Sequence, residues 1–108
     1  MVFVPLERLV NLHDGYRRTF RIGRLPLLLI QEGGQRYVLQ DRCPHKGFPL
    51  HTGTLVNGRL RCAYHAMEFD LASGRCLQHP SQPGVVTYPV VVDGVMVGVE
   101  LDTRNAEE

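Results

Sequence analysis

Two short segments of the chain each carry a cysteine and a histidine at a spacing that suits metal binding. One residue separates Cys43 from His45, and two residues separate Cys62 from His65. Thiolates and imidazoles are the side chains that hold zinc and iron–sulfur clusters in proteins. The two segments together therefore predict one metal site with four protein ligands.

The way the ligands are paired distinguishes between the possible metals. Zinc modules usually place cysteine with cysteine in one segment and histidine with histidine in the other. Here each segment mixes the two types, so each can send its cysteine to one iron and its histidine to a second iron. This pattern favours a dinuclear iron–sulfur cluster, and a structural zinc site remains the alternative.

The rest of the chain predicts a scaffold of short strands. Turn residues, of which Asn57-Gly58 and Asp93-Gly94 are the strongest, separate segments rich in branched and aromatic side chains. We therefore expect an all-β fold, a small antiparallel sandwich or barrel, with a cluster-binding part over about 42–83. One helical turn or two is predicted over 6–12. The predicted strands are 1–4, 17–22, 27–31, 35–41, 54–56, 59–62, 68–70, 75–77, 87–92 and 95–100.

Both ligand pairs are predicted to begin at the ends of strands and to continue into loops. Cys43 follows a strand that ends near residue 41, and Cys62 closes the arm 59–62. Pro44 fixes its own φ and favours extended backbone at Cys43. We expect the two loops to face each other across one end of a small sheet.

Length and charge exclude several classes of function. The 108 residues predict a single domain, 1–108, and twelve basic against eleven acidic residues give a net charge of +1. This balance indicates no nucleic-acid surface. The longest apolar run, residues 25–30, is too short to span a bilayer, so no membrane partner is expected.

The third cysteine, Cys76, has no obvious partner for a disulfide. An odd number of cysteines indicates a reducing compartment, so a cytoplasmic location is predicted, with Cys76 as a partly buried thiol in a hairpin. Arg17-Arg18 resembles a twin-arginine export signal. However, Arg21 and Arg24 interrupt the apolar stretch that such a signal requires.

The motifs as a whole resemble the Rieske-type [2Fe-2S] proteins, over nearly the full chain. The match is centred on residues 41–50 (Asp-Arg-Cys-Pro-His-Lys-Gly-Phe-Pro-Leu) and 58–65 (Gly-Arg-Leu-Arg-Cys-Ala-Tyr-His). The resemblance implies a Rieske fold with one [2Fe-2S] cluster per chain. It also implies that Cys43 and Cys62 bind the inner iron, and that His45 and His65 bind the outer iron.

Departures from the family pattern concern the surroundings of the cluster. Rieske proteins of respiratory and photosynthetic complexes have two further cysteines that form a disulfide, where this chain has Phe48 and Tyr64. They also have a serine that donates a hydrogen bond to the cluster, at the position of Met67. Ala63 and Ala66 replace a common proline and a common glycine. Without the hydroxyl donor we expect a low potential, near the lower end of the family range of roughly −150 to +300 mV.

The resemblance implies an electron carrier that is not itself an enzyme. About forty residues follow His65 and are predicted as strands, so we expect no domain with a catalytic 2-His-1-carboxylate iron. The implied protein is a ferredoxin that accepts electrons from a flavin-containing reductase. It would pass them to a terminal oxygenase that acts on aromatic compounds. Its predicted docking rim consists of Lys46, Phe48, Tyr64, Met67 and Pro83.

Three alternatives share parts of this pattern. The same fold occurs in the small subunit of assimilatory nitrite reductases. A Rieske-like subunit bound permanently to an enzyme is a second possibility, and a structural zinc module is the third. Several nitrite reductase subunits of this kind lack the ligands, so the full ligand set here argues against the first alternative, and genomic neighbours would separate the first two from a ferredoxin.

Overall fold

The fold consists of three antiparallel sheets, seen in a computed structural model that describes residues 2–44, 47–63 and 67–102. A 3-10 helix, Leu9–Asn11, is the one helical element among these residues, and no helix there is long and apolar enough to cross a membrane. The strands are β1 Val2–Arg8, β2 Arg17–Ile22, β3 Leu25–Glu32, β4 Gln35–Gln40, β5 Thr54–Val56, β6 Arg59–Arg61, β7 Glu68–Asp70, β8 Thr87–Tyr88, β9 Val90–Asp93 and β10 Met96–Leu101.

Two of the sheets, with three and four strands, form the scaffold, and a third sheet of three short strands carries part of the candidate site. The strand orders are β1-β10-β9, β2-β3-β4-β8 and β5-β6-β7, and every pair is antiparallel. The first candidate ligand segment follows β4, and the second lies between β6 and β7. The predicted all-β class with antiparallel sheets is confirmed.

Most strands lie where the sequence predicts them, but three segments differ from the prediction. The helical turn predicted over 6–12 is confirmed only at residues 9–11, which form the 3-10 helix; residues 6–8 instead continue β1, where Glu7 and Arg8 pair with β10. The predicted strand 87–92 is divided at Pro89, which has no N–H to donate to a neighbouring strand. The predicted strand 75–77 is reduced to a single bridge between Phe69 and Cys76.

The hairpin of β3 and β4 is shared by two apolar cores. Alternate side chains of a strand point to opposite faces of a sheet, so neighbours in these strands enter different cores. Leu27, Leu29 and Val38 pack with β1 and β10. The other core, called here the cysteine core, consists of Leu28, Ile30, Leu39, Cys43, Leu50, Leu60, Cys62, Phe69, Leu71, Cys76 and Val85.

The carboxylate of Glu7 joins β1 and the 3-10 helix to the start of β2. It accepts hydrogen bonds from Asn11 Nδ2 at 2.9 Å, from the Tyr16 hydroxyl at 2.7 Å and from the backbone N–H of Arg8 at 2.8 Å. These bonds, that of Asn11 foremost, lower the pKa of Glu7 from 4.5 to about 2. Burial, and then the neighbouring Glu7 carboxylate, raise the pKa of Tyr16 to about 12.

Glu7→Gln is expected to make the free energy of unfolding fall less steeply as the pH is lowered below about 4.5. Because the pKa of Glu7 is lower in the folded chain, its ionised form stabilises the fold above about pH 4.5, and this stabilisation is lost as the pH falls towards 2. The variant should be less stable than the wild type at pH 7 and should lose less stability between pH 4.5 and 2. Thermal unfolding followed by circular dichroism across this range measures the difference.

The matched control for this experiment is Glu100→Gln. Glu100 is an exposed carboxylate on β10, so its replacement shows the effect of removing one surface charge. If the Glu7→Gln curve ran parallel to the wild-type curve, or matched that of Glu100→Gln, the Glu7 network would not be a source of acid sensitivity.

Candidate metal centre

Two loops that begin with Cys43 and Cys62 are closed in the same way. The backbone N–H of Cys43 donates to the carbonyl oxygen of Phe48 at 2.7 Å, and that of Cys62 donates to the carbonyl oxygen of Met67 at 2.9 Å. In each case the acceptor lies five residues after the cysteine. We call residues 43–48 the first loop and residues 62–67 the second loop. The two cysteines therefore occupy equivalent positions.

Both cysteines are buried in the cysteine core. Their exposed fractions are 1% for Cys43 and 3% for Cys62, and the two form no disulfide. A thiolate in an apolar interior is costly unless a cation balances its charge. A metal site that takes both sulfurs would supply that charge, so these residues fit an iron–sulfur cluster.

The third cysteine lies in the same core, behind the second loop. Cys76 is completely buried, with an exposed fraction of 0%, so the prediction of a partly buried thiol is wrong. It forms a bridge to Phe69, which is itself buried, and its Sγ lies 3.9 Å from the sulfur of Met67. The hairpin position was predicted, but the complete burial of this residue was not.

A short segment after the first loop is held from two sides. The buried carboxylate of Asp41 accepts hydrogen bonds from the backbone N–H groups of Leu50 at 2.7 Å and His51 at 2.8 Å. Its second oxygen lies 2.7 Å from Nδ1 of His51. The guanidinium of Arg17 donates to the carbonyl oxygens of His51 at 2.8 Å and Gly53 at 2.6 Å.

Gly53 brings this segment against the strand that leads into the second loop. A Cβ at this position would collide with the carbonyl oxygen of Arg61, the residue before Cys62. Only glycine allows the two backbones to approach so closely. Asp41, Arg17 and Gly53 were not among the predicted site residues.

The predicted site residues are only partly within the described chain. Met67 is half-buried against the cysteine core, Phe48 is 40% exposed at the end of the first loop, and Pro83 is exposed. Among the described residues no group of three or more potential metal ligands occurs. The predicted residues His45, Lys46, Tyr64 and His65 lie outside the described residues.

Comparison with known proteins gives a family and relatives of similar length. The family model of the Rieske [2Fe-2S] domain matches residues 2–89. The 3-phenylpropionate/cinnamic acid dioxygenase ferredoxin subunit of Shigella boydii is 34% identical over 85 residues, which are 77% of this chain and 80% of that protein. That relative is a ferredoxin subunit, in agreement with the predicted role in electron transfer.

Solved structures confirm the fold. A chain in the complex of reduced oxygenase and oxidized ferredoxin of carbazole 1,9a-dioxygenase is 26% identical, with a TM-score of 0.78, over 90% of this chain and 100% of that one. A proposed small subunit of an NADPH nitrite reductase is 24% identical, with a TM-score of 0.75, over 94% and 100% of the two chains. This second likeness shows the fold alone.

Other curated relatives are much longer proteins, of which this chain spans 14% to 24% of the length. They include an apoptosis-inducing factor of mouse and the oxygenase component of a dicamba demethylase, so the same unit occurs within larger proteins. The match over residues 2–89 includes both cysteine loops and most of the scaffold. The chain therefore belongs to the family of Rieske [2Fe-2S] domains, which bind an iron–sulfur cluster.

Proposed function

We propose that the chain is a one-electron carrier that holds one [2Fe-2S] cluster. Cys43 and Cys62 are the proposed ligands of one iron, and His45 and His65 those of the other. The observation that carries the proposal is the equivalent placement of the two cysteines, each buried in one core at the start of a loop closed by its own N–H. The single domain 1–108 is part of this proposal.

The burial of the site divides it into an inner and an outer side. When bound, the cluster supplies a reversible one-electron couple without an open position for a substrate. The chain encloses the cysteine side in apolar residues, which keeps water from the sulfurs. Pro44, Phe48 and Ala63, which lie within the two loops, are exposed. We infer that electrons enter and leave at this loop end, where the rim of Lys46, Phe48, Tyr64, Met67 and Pro83 was predicted.

The side chain of Met67 supports a low potential. It stands where some family members have a serine, and its sulfur lies towards Cys76 rather than offering an O–H to the site. Hydrogen bonds to the cluster favour the reduced form, so their loss lowers the potential. We therefore propose a midpoint near the lower end of the family range, about −150 mV.

The names of similar proteins support a choice of partners. The relative from Shigella boydii is the ferredoxin subunit of an aromatic-acid dioxygenase, and carbazole 1,9a-dioxygenase has been solved with its ferredoxin bound to the oxygenase. We propose a terminal oxygenase of aromatic compounds as the electron acceptor and a flavin-containing reductase as the donor. A cytoplasmic setting is proposed with them, because the three cysteines form no disulfide.

The test begins with the metal and ends with electron transfer. Protein purified under anaerobic conditions should contain two irons and two sulfides per chain, and its reduced form should give the electron paramagnetic resonance (EPR) signal of a Rieske cluster. Stopped-flow mixing of the reduced protein with an aromatic-ring oxygenase should reoxidise it within the turnover time of that enzyme. Stoichiometric zinc without iron would contradict the proposal.

The nitrite reductase subunit is kept as a second candidate because of the fold likeness described above. The two candidates differ in how they meet their partners. A ferredoxin exchanges electrons through brief encounters and is isolated alone, whereas a subunit copurifies with its enzyme. Reoxidation of the reduced protein by a nitrite reductase, and not by an oxygenase, would favour the second candidate.

A further inference from the structure

We infer that Asp41 is a positioning residue that sets the geometry of the cluster through the segment 50–53. This inference rests on the proposed function, because it concerns the surroundings of the cluster that Cys43 and Cys62 would hold. It goes further by assigning a role to a residue that is no ligand and lies behind the first loop.

The carboxylate of Asp41 is placed to anchor the chain that leaves the first loop. Its side chain is only 7% exposed and follows β4, two residues before Cys43. One oxygen accepts both backbone N–H groups of Leu50 and His51, and the other lies against the His51 ring. Hydrogen bonds to a charged, buried acceptor are stronger than those between neutral groups. Both ends of the first loop are thus tied to the end of β4.

The anchored segment also reaches the second loop. Arg17 on β2 holds the carbonyl oxygens of His51 and Gly53, so the segment is fixed on its donor side by Asp41 and on its acceptor side by Arg17. Gly53 then lies directly against the carbonyl of Arg61, next to Cys62. Segment 50–53 therefore acts as a spacer between the two cysteine loops.

A displacement of this spacer should change the cluster more than the fold. The scaffold strands do not depend on Asp41, because β2 and β4 each pair with β3 along their whole length. The separation of the two loops does depend on it, through Leu50, His51 and Gly53. The shape of the EPR signal reports the surroundings of a cluster, and therefore distinguishes a positioning role from a contribution to stability alone.

Two substitutions separate the position of the carboxylate from its charge. Asp41→Asn keeps an oxygen that can accept both backbone N–H groups but removes the charge. Asp41→Glu keeps the charge but moves the oxygens by one methylene group. We expect the Glu variant to have shifted g-values in the EPR spectrum, at least a twofold lower cluster content and a changed potential. The Asn variant should keep the wild-type line shape, with a more positive potential because a negative charge is lost.

The matched control is the same pair of substitutions at Asp14. This carboxylate also accepts a backbone N–H, that of Gly34 at 3.0 Å, and an amide N–H of Gln31 at 3.2 Å, but it lies at the turn end of the β3–β4 hairpin, opposite Asp41. Its variants should leave the g-values and the potential unchanged.

The outcomes test the inference separately from the proposed function. If Asp41→Glu kept the wild-type g-values and potential, the positioning role would be overturned. It would also be overturned if the Asn and Glu variants changed the line shape equally, because the position of the carboxylate oxygens would then not be the cause. Absence of any Rieske signal in the wild-type protein would instead contradict the proposed function. Circular dichroism of the purified variants shows whether each is folded. If the Glu variant is not, the Asn variant still tests the inference, because a changed line shape in it would overturn the positioning role.

Discussion

Replacing Cys43 or Cys62 by alanine should abolish the iron–sulfur cluster, whereas Cys76→Ala should retain it. A cluster of this type requires two thiolates, and no other side chain on the loops can replace either one. Iron and sulfide content, the visible spectrum and the EPR signal should fall to background in the first two variants. In the third they should stay within about twofold of the wild type.

Cys76 is an unusually close control because it differs from the other two cysteines in position alone. All three lie in the cysteine core with exposed fractions of 0% to 3%, so each substitution removes a buried sulfur from the same surroundings. The loss of packing should therefore be similar, about 1 kcal/mol for a group of this size. Loss of the cluster in Cys76→Ala as well would show that the ligand assignment is incomplete.

Gly74→Ala should destabilise the fold by about 3 kcal/mol or more. Gly74 has a φ of +77°, and a Cβ there would collide with the carbonyl oxygen of Val85, a member of the cysteine core. The collision is with backbone, which also forms a hydrogen bond from the Val85 N–H to the Gly74 carbonyl at 2.7 Å. The substitution would therefore force apart two segments that cover the core.

The loss of stability in Gly58→Ala, compared with that in Gly74→Ala, gives the contribution of the collision. Gly58 also has a φ of +77°, but no atom lies within 4 Å of a Cβ built there. Its substitution should cost only the strain of the left-handed conformation, about 1 to 2 kcal/mol. Urea denaturation of both variants gives the comparison, and equal losses of stability would show that the Gly74 contact relaxes without cost.

The sequence predicted strands best where local turn residues determine both ends. β2, β5 and β7 have the predicted bounds, and the turn between β5 and β6 has the expected positive φ at Asn57 and Gly58. Bounds were missed where a distant partner decides them. β1 extends to Arg8 because β10 offers pairing over that length, and no pattern within residues 2–8 reveals this.

In the candidate site too, features set by residues close in the sequence were predicted, and features set by distant contacts were not. Cys43 and Cys62 were identified from residue type and short spacing, and both lie at loop starts as expected. The spacer was missed because its contacts join residues far apart in the chain. Asp41 meets Leu50 across nine positions, and Arg17 meets Gly53 across thirty-six. An acidic residue after a strand has no signature that separates a buried anchor from a solvated turn.

The closure of each loop by the N–H of its own cysteine separates the requirements of electron transfer from those of folding. The bonds from Cys43 to Phe48 and from Cys62 to Met67 complete each loop without using a group of any other strand. Exchanges at the exposed loop positions Pro44 and Ala63 are therefore expected to leave the strand pairing intact. Evolution can vary the exposed loop positions that are not ligands to suit a new redox partner while the scaffold is inherited unchanged, which makes the domain easy to reuse in larger proteins.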